Sequence, residues 1–476
     1  MQLLLLLRVR LPVWVPRAPA RPRGAEGRKR MPPITTALLA LLWLWVAAPA
    51  QASLQLQHWT QPSGARVWLA ESPAIPMVDV QIDFDAGSRR DPAAQAGLAA
   101  ASASMLSRGL RAAGTQAALD ENQLAEAWTD LGASLVARSS LDRMSFLLRS
   151  LTYRDLLDAS VRLAARQLGH PAFPADVWQR ERERISAAYK EAGTRPGTIA
   201  SRRFTRAVFG SHPYGAEATP ETLERISVAD MQTWHRNHLQ ACRARVSIVG
   251  AVTRAQADEL VRTLLAQLPR DDGRGCAPLP AVAEVSPLSA PVEQIVPFES
   301  AQAHVLIGQP GFKRNDPDFF ALTVGNHILG GGGFVSRLYG EVREKRGLSY
   351  SVYSFFAPGL HAGAFTVGLQ TRPDQARQAV GVAREVLERF VADGPTEAEL
   401  QAAKDNLIGG FALRIDSNAK LLDNISAIAW NDLPLDYLQT WTQQVARVSV
   451  ADIRAAFARK LQPQRSVVVV VGATPS

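Results

Sequence analysis

The chain has 476 residues, of which 47% are hydrophobic and 20% charged, a balance that excludes a disordered or low-complexity protein and predicts two or more domains. Its formal charge of +9 suggests a nucleic-acid or anionic-membrane partner. Residues 1–52 carry that excess, with eight basic residues against one acid, and leave 45 basic and 43 acidic residues beyond them, a net +2 that shows no nucleic-acid footprint.

In chain order, the first feature is a leader. Arg28-Lys29-Arg30 precede an apolar run from Ala37 to Ala48, and Ala50-Gln51-Ala52 follows as a small-x-small cleavage pattern. This predicts a secretory signal over residues 1–52, cleaved after Ala52, with Met31 as a candidate start and a periplasmic mature protein. The apolar run is too short to span a bilayer comfortably, so contact with the membrane is expected only through the signal. Two cysteines, Cys242 and Cys276, are too few for a disulfide framework, and the sequence leaves their pairing open.

The body of the chain is written twice. Ile226-Ser227-Val228-Ala229-Asp230-Met231 recurs as Val448-Ser449-Val450-Ala451-Asp452-Ile453, an offset of 222 residues that holds through Leu239/Leu461, Val246/Val468 and Gly250/Gly472. Each copy predicts a capped helix beginning at Ser-Val-x-Asp, followed by an apolar β-branched strand ending in glycine. The starts match more weakly: an alternating strand from Val78 to Phe84, then Asp91-Pro92 and a helix from about Ala93. The second copy has Ala303 to Gly308, Asp316-Pro317 and a helix from about Asp318. Long helices are expected at 155–168, 176–192, 374–393 and 397–414. Pro/Gly/Ala-rich residues 271–292 read as a linker between domains at 53–270 and 293–476. The predicted class is α+β, two duplicated domains, each a mainly antiparallel sheet packed with helices.

The second half carries Leu329-Gly330-Gly331-Gly332-Gly333-Phe334-Val335-Ser336-Arg337-Leu338-Tyr339, then Glu341-Val342-Arg343-Glu344-Lys345-Arg346-Gly347-Leu348-Ser349-Tyr350-Ser351-Val352. These runs resemble the LGGG-x-x-SRL-[FY] and E-[IV]-REKRGL-[AS]-Y-S-V segments of the pitrilysin/insulinase family, which includes the mitochondrial processing peptidases. His212-Pro213-Tyr214-Gly215 resembles a further family landmark in the first half. The four glycines are not a phosphate loop, because Phe334-Val335 stands where Lys-Ser or Lys-Thr is needed. They are expected to let a helix start close to a neighbouring backbone, and the resemblance implies a share in lining a peptide channel.

Family members that cut peptides place H-x-x-E-H on a helix, in the context G-L-A-H-x-x-E-H-M-L. Two histidines one turn apart and a downstream glutamate hold zinc, and the intervening glutamate takes a proton from the metal-bound water. This chain reads Gly97-Leu98-Ala99-Ala100-Ala101-Ser102-Ala103-Ser104-Met105-Leu106. The frame matches and the chemistry is gone: Ala100 and Ser104 stand at the histidine positions and Ala103 at that of the base. Glu181 matches the third-ligand position, and a lone carboxylate is expected to form a surface or helix ion pair with a nearby arginine. His235-x-x-His238 has metal-ligand spacing without an acidic neighbour and reads as two solvated histidines at a helix end.

The family's other active-site component persists. The resemblance implies that Arg343 and Tyr350, seven residues apart, bind a substrate carbonyl and its oxyanion in a zinc centre of the opposite half. The bland alternative is a surface salt bridge from Arg343 to Glu341 or Glu344, with Tyr350 in the core. The expectation is therefore a non-catalytic subunit of a two-subunit zinc endopeptidase. It has no cofactor of its own; zinc is held by a homologous partner with an intact motif, and the substrate is a peptide or unfolded polypeptide. The alternatives are a peptide-binding or scaffold pseudo-peptidase, and a hydrolase with an unrecognised site, for which no G-x-S-x-G or cysteine–histidine signature speaks.

Overall fold

The computed structural model describes residues 55–268 and 276–472. The expected signal at 1–52 lies outside the described residues, as does the start of the expected linker; residues 276–291 carry no helix or strand. The fold is α+β with two sheets. The first sheet is built from β1 (Leu56–Thr60), β2 (Arg66–Glu71), β3 (Met77–Phe84), β4 (Ser134–Ser139), β5 (Met144–Leu151) and β6 (Arg245–Gly250), in the order β1-β2-β6-β3-β5-β4. The second contains β7 (Val292–Val296), β8 (Ala303–Pro310), β9 (Val352–Phe356), β10 (Ala364–Thr371) and β11 (Val467–Val471), in the order β7-β11-β8-β10-β9. Without β1 the two orders superimpose strand for strand. In each, the last strand in sequence pairs parallel with the first (β2 with β6, β7 with β11), and the remaining pairs are antiparallel.

The repeated segments fold alike for local reasons. Ser227 and Ser449 cap helices Val228–His238 and Val450–Lys460, and Asp230 and Asp452 complete the reciprocal capping boxes. Gly250 and Gly472 close the following strands against a neighbouring chain. A β-carbon there would lie 2.3 Å from the Met77 carbonyl oxygen and 2.9 Å from that of Gln302. The five consecutive valines of β11 are all buried, because both faces of that strand are covered. Val468 and Val470 point into the second core, and Val467, Val469 and Val471 meet a helix from the first half.

That helix is one of an exchanged pair. Helix Pro196–Phe209 of the first half lays Ala200, Phe204 and Val208 on the outer face of the second sheet. Helix Asn418–Trp430 of the second half lays Leu421, Leu422 and Ile425 on Trp68, Ala70 and Val249 of the first sheet. The two helices begin 222 residues apart, the offset of the repeat. Gly308 makes room for the first of them, since a β-carbon there would sit 2.8 Å from the Phe204 ring. The second brings a polar anchor. The Ser426 hydroxyl donates to Asp83, which is fully buried, at 2.8 Å, and accepts from Gln81 at 2.7 Å and Arg143 at 2.6 Å. Cys242 and Cys276 form a disulfide.

Candidate functional site

Two regions matter. The first is helix Leu98–Met105, whose frame matched the zinc motif. Asp91 caps it, accepting from the N–H groups of Gly97 at 2.8 Å and Ala99 at 2.9 Å. Ala100 is exposed and Ala103 buried, and the Ser104 hydroxyl donates back to the Ala101 carbonyl at 2.9 Å. No group on this face can ligate zinc well.

Glu181, on helix Ala175–Ala192, forms the expected helix ion pair with an arginine, and it is 4% exposed because arginines close over it. Arg184 pairs with it at 2.7 Å and Arg108 at 3.3 Å, while Arg108 and Arg180 also hold Glu121 at 3.2 and 2.7 Å. Burial alone would raise the Glu181 pKa; the Arg184 hydrogen bonds and the charges of Arg108, Arg184 and Arg180 outweigh it and hold the carboxyl below its ordinary value. Guanidinium groups thus supply the positive charge beside this carboxylate, and the residues present do not fit a zinc ion. Among the described residues no group of three or more His, Cys, Asp or Glu could hold a metal. The histidine pair also departs from expectation. His235 is buried, its Nε2 2.6 Å from the Leu168 carbonyl oxygen, and His238 stacks on Trp234 with ring centres 4.0 Å apart. Both are packing residues of a helix that lies against the core, and burial lowers both pKa values.

The second region is the glycine run together with residues 334–350. Helix Phe319–Asn326 continues as one wide π-helical turn, His327–Gly331. The glycines therefore end a helix, where the sequence suggested that they start one. They bring it against edge strand β9: a β-carbon at Gly330 would lie 2.5 Å from the Ser354 backbone nitrogen. Asn326 and Ser354 lock this approach, the amide donating to the Ser354 carbonyl at 3.1 Å and the Ser354 hydroxyl donating to Asn326 at 2.7 Å. Beyond the glycines, Phe334 and Val335 stand 73% and 82% exposed.

Arg343 lies in a second π-helical segment, Tyr339–Glu344. Its guanidinium carbon is 4.6 Å from the centre of the Tyr350 ring, 4.7 Å from that of Tyr339 and 5.9 Å from that of Phe334. The salt-bridge alternative is not what the side chain does. Glu341 is taken by Lys345 at 2.6 Å and Arg346 at 2.7 Å, and among the described residues Arg343 has no ion-pair partner. Tyr350 is 79% exposed, so it is not a core residue either. The structure brings Arg343 and Tyr350 together, with Phe334 and Tyr339, whose part in the cluster the motif did not reveal. No hydrogen bond, ion pair or ring contact among the described residues joins this cluster to helix Leu98–Met105.

The His212-Pro213-Tyr214-Gly215 landmark is a clasp between halves. The Tyr214 hydroxyl donates to Asp142 at 2.6 Å and accepts from the His361 N–H at 3.3 Å, while Asp142 also accepts from Arg89 at 2.9 Å and the Leu360 N–H at 3.0 Å. Burial first, and then the Asp142 carboxylate, push the Tyr214 pKa up, so the phenol stays a donor. His212 reaches the Ala283 carbonyl oxygen, and Glu284 meets His361 at 3.1 Å. Nothing in the sequence pointed to Asp142, Glu284 or His361.

Known proteins resemble this chain in sequence and fold. Residues 66–219 match the family model Insulinase (Peptidase family M16), and residues 225–407 match Peptidase M16 inactive domain. The solved structure of a peptidase M16 inactive domain from Pseudomonas fluorescens is 31% identical, with a TM-score of 0.83 over 89% of this chain and 99% of that one. The chain belongs to the insulinase family. It is a member of the inactive type, with Ala100, Ala103 and Ser104 in place of the motif. An uncharacterized zinc protease of Mycobacterium tuberculosis is 28% identical over 90% of this chain and 95% of its own length. A non-peptidase homolog, YmxG, of Helicobacter pylori is 26% identical over 87% and 93%. The periplasmic protease PqqL of Escherichia coli shares the fold at 18% identity and a TM-score of 0.74, over 89% of this chain but 46% of that one.

Proposed function

We propose that this chain is the non-catalytic subunit of a two-subunit periplasmic zinc endopeptidase. It closes the peptide chamber of a homologous partner that carries H-x-x-E-H, and it presents Arg343 and Tyr350 to the substrate there. One observation carries the reading: a guanidinium without an acidic partner among the described residues, held against a phenol that is 79% exposed. A free surface arginine gains by pairing with a carboxylate, and two glutamates lie within two residues of this one. Kept away from them on aromatic faces, its N–H donors stay available to an incoming oxygen.

The chemistry rests on these donors. A substrate carbonyl gains negative charge as it is attacked, and hydrogen bonds from the guanidinium and the phenol strengthen as that charge grows. Zinc, when bound in the partner, supplies the activated water and polarises the same carbonyl. This chain orients the peptide and stabilises the oxyanion. Gly330, Gly331, Gly332 and Gly333 set the height of the chamber wall beside the pair. The size relation agrees with a half-enzyme, because this chain matches 46% of PqqL and nearly the whole of the inactive-type structure.

A second reading is favoured by the name of the Helicobacter pylori relative, a non-peptidase homolog: a peptide-binding scaffold without a share in proteolysis. Co-expression with a homologue carrying H-x-x-E-H separates the two. The subunit reading expects a complex that cleaves peptides and a metal-bearing subunit that is weak alone. The scaffold reading expects the metal-bearing subunit to cleave equally well by itself.

A further inference from the structure

Strand β9 begins two residues after Tyr350, and its outward-facing side chains open into a groove. The groove lies between helix Pro196–Phe209 of the first half and the outer face of the second sheet, with a volume of about 610 Å³. Leu141, Phe204, Leu306, Tyr353 and Phe355 line it, and Ser351, the residue after Tyr350, is part of its wall. Tyr353 and Phe355 are 43% and 42% exposed, and their rings stack with centres 6.0 Å apart. The Tyr353 ring lies against Gly368, where a β-carbon would be 2.5 Å from it. A side chain at 368 would lift that ring and fill the floor.

The walls hold no Asp, Glu, Lys or Arg, and burial keeps the pKa of their histidine, His304, low and its ring neutral. The cavity at Arg66, Arg245 and Asp432, by contrast, is lined with both charges. A charged side chain entering the groove would lose its hydration without a counter-charge, whereas an apolar one would cover two half-exposed aromatic rings. Phe355 is five residues beyond Tyr350, about 16 Å at the rise of an extended chain.

We infer that this groove is a peptide subsite that takes an uncharged, apolar stretch of the substrate chain about four to five residues from the bond that faces Arg343 and Tyr350. It rests on the reading that this pair meets a peptide. The volume suits a few side chains, and the groove gives the subunit a share in choosing the substrate as well as in stabilising its transition state.

The test uses the purified mature chain and a fluorescein-labelled peptide of about ten residues, Ser and Gly flanking Leu-Phe-Leu, read by fluorescence anisotropy. The structure predicts saturable binding. The Tyr353→Ala/Phe355→Ala double variant weakens it about tenfold, and so does Ser201→Arg, which sets a charge in the wall from an exposed position. Replacing the central Leu-Phe-Leu by Asp abolishes it. All three altered positions are at least partly exposed, so melting curves should match the unaltered chain. No binding by the unaltered chain, equal binding by both variants, or equal binding of the Asp peptide would overturn the inference. If Arg343→Ala halts the complex while the groove variants bind as before, the groove falls and the subunit role stands. If the groove binds as predicted and the complex ignores Arg343→Ala, the subunit role falls alone.

Discussion

The guanidinium carbon of Arg343 lies 4.6 Å from the centre of the Tyr350 ring, and the arginine is held by aromatic faces instead of acids. Phe334, at the end of the glycine run, is the farthest of those faces from the guanidinium, at 5.9 Å, and its ring meets Tyr339 edge-on at 5.0 Å. Phe334→Ala should leave assembly intact and lower the turnover of the complex about two- to fivefold, the loss of one exposed cation–π contact worth about 0.5–1 kcal/mol. Phe334→Tyr should restore it. Steady-state kinetics of both variants check this, and unchanged turnover with alanine would show that Phe334 does not position the arginine.

The arginines around Glu181 bear on metal uptake. Ala100→His, Ala103→Glu and Ser104→His together rebuild the missing side chains, yet Glu181 remains paired with Arg184 and Arg108. The triple variant should take up zinc only weakly, and adding Arg108→Ala should raise the affinity by freeing the carboxylate. Zinc titration with a competing chelator measures both. Equal affinity with and without Arg108 would show that Glu181 is not the ligand.

The exchanged helices predict that the halves unfold together. Phe204→Ala removes a buried ring between a first-half helix and the second sheet and should cost about 3–5 kcal/mol. The loss should appear as a lower midpoint of a single transition. Two separated transitions in the unaltered chain would contradict an interface that joins the halves.

Arg337 forms a bidentate pair with Glu399, at 2.6 and 2.7 Å, and this hydrogen bonding, above all else, brings the glutamate pKa down to about 2. A carboxylate whose folded pKa is depressed contributes stability that is fully present above its unfolded value, 4.5, and is lost as the pH falls toward about 2. Glu399→Gln should therefore flatten the fall in melting temperature across that window and change little of its slope above it. An unchanged acid slope would show that the pair does not couple to folding.

Repeats and punctuation made much of the fold legible. The offset of 222 residues located two capping boxes and two closing strands, and the run around Arg343 and Tyr350 located a cluster that the structure assembles. The helix exchange was not legible. The apolar stripe of Pro196–Phe209 says that the helix is buried and not which sheet buries it, and Gly308, which admits Phe204, reads as any strand glycine. The burial of Glu181 and of His235 was not legible for a related reason. Alternating Glu and Arg, and His-x-x-His at a helix end, look solvated until distant chain segments pack over them. The Tyr214 clasp joins residues far apart in sequence, Asp142 and His361, and no local pattern marks such a meeting.

The most direct measurement is peptide hydrolysis by the assembled two-subunit complex, with this chain carrying Arg343→Ala and Tyr350→Phe. Tyr350 is exposed and Arg343 partly exposed, so the chain should fold and assemble as before. The account predicts an intact complex whose kcat falls by about 10²–10³ with little change in KM, the signature of lost oxyanion donors. Full activity in that complex would contradict it and leave the chain a chamber wall or a scaffold.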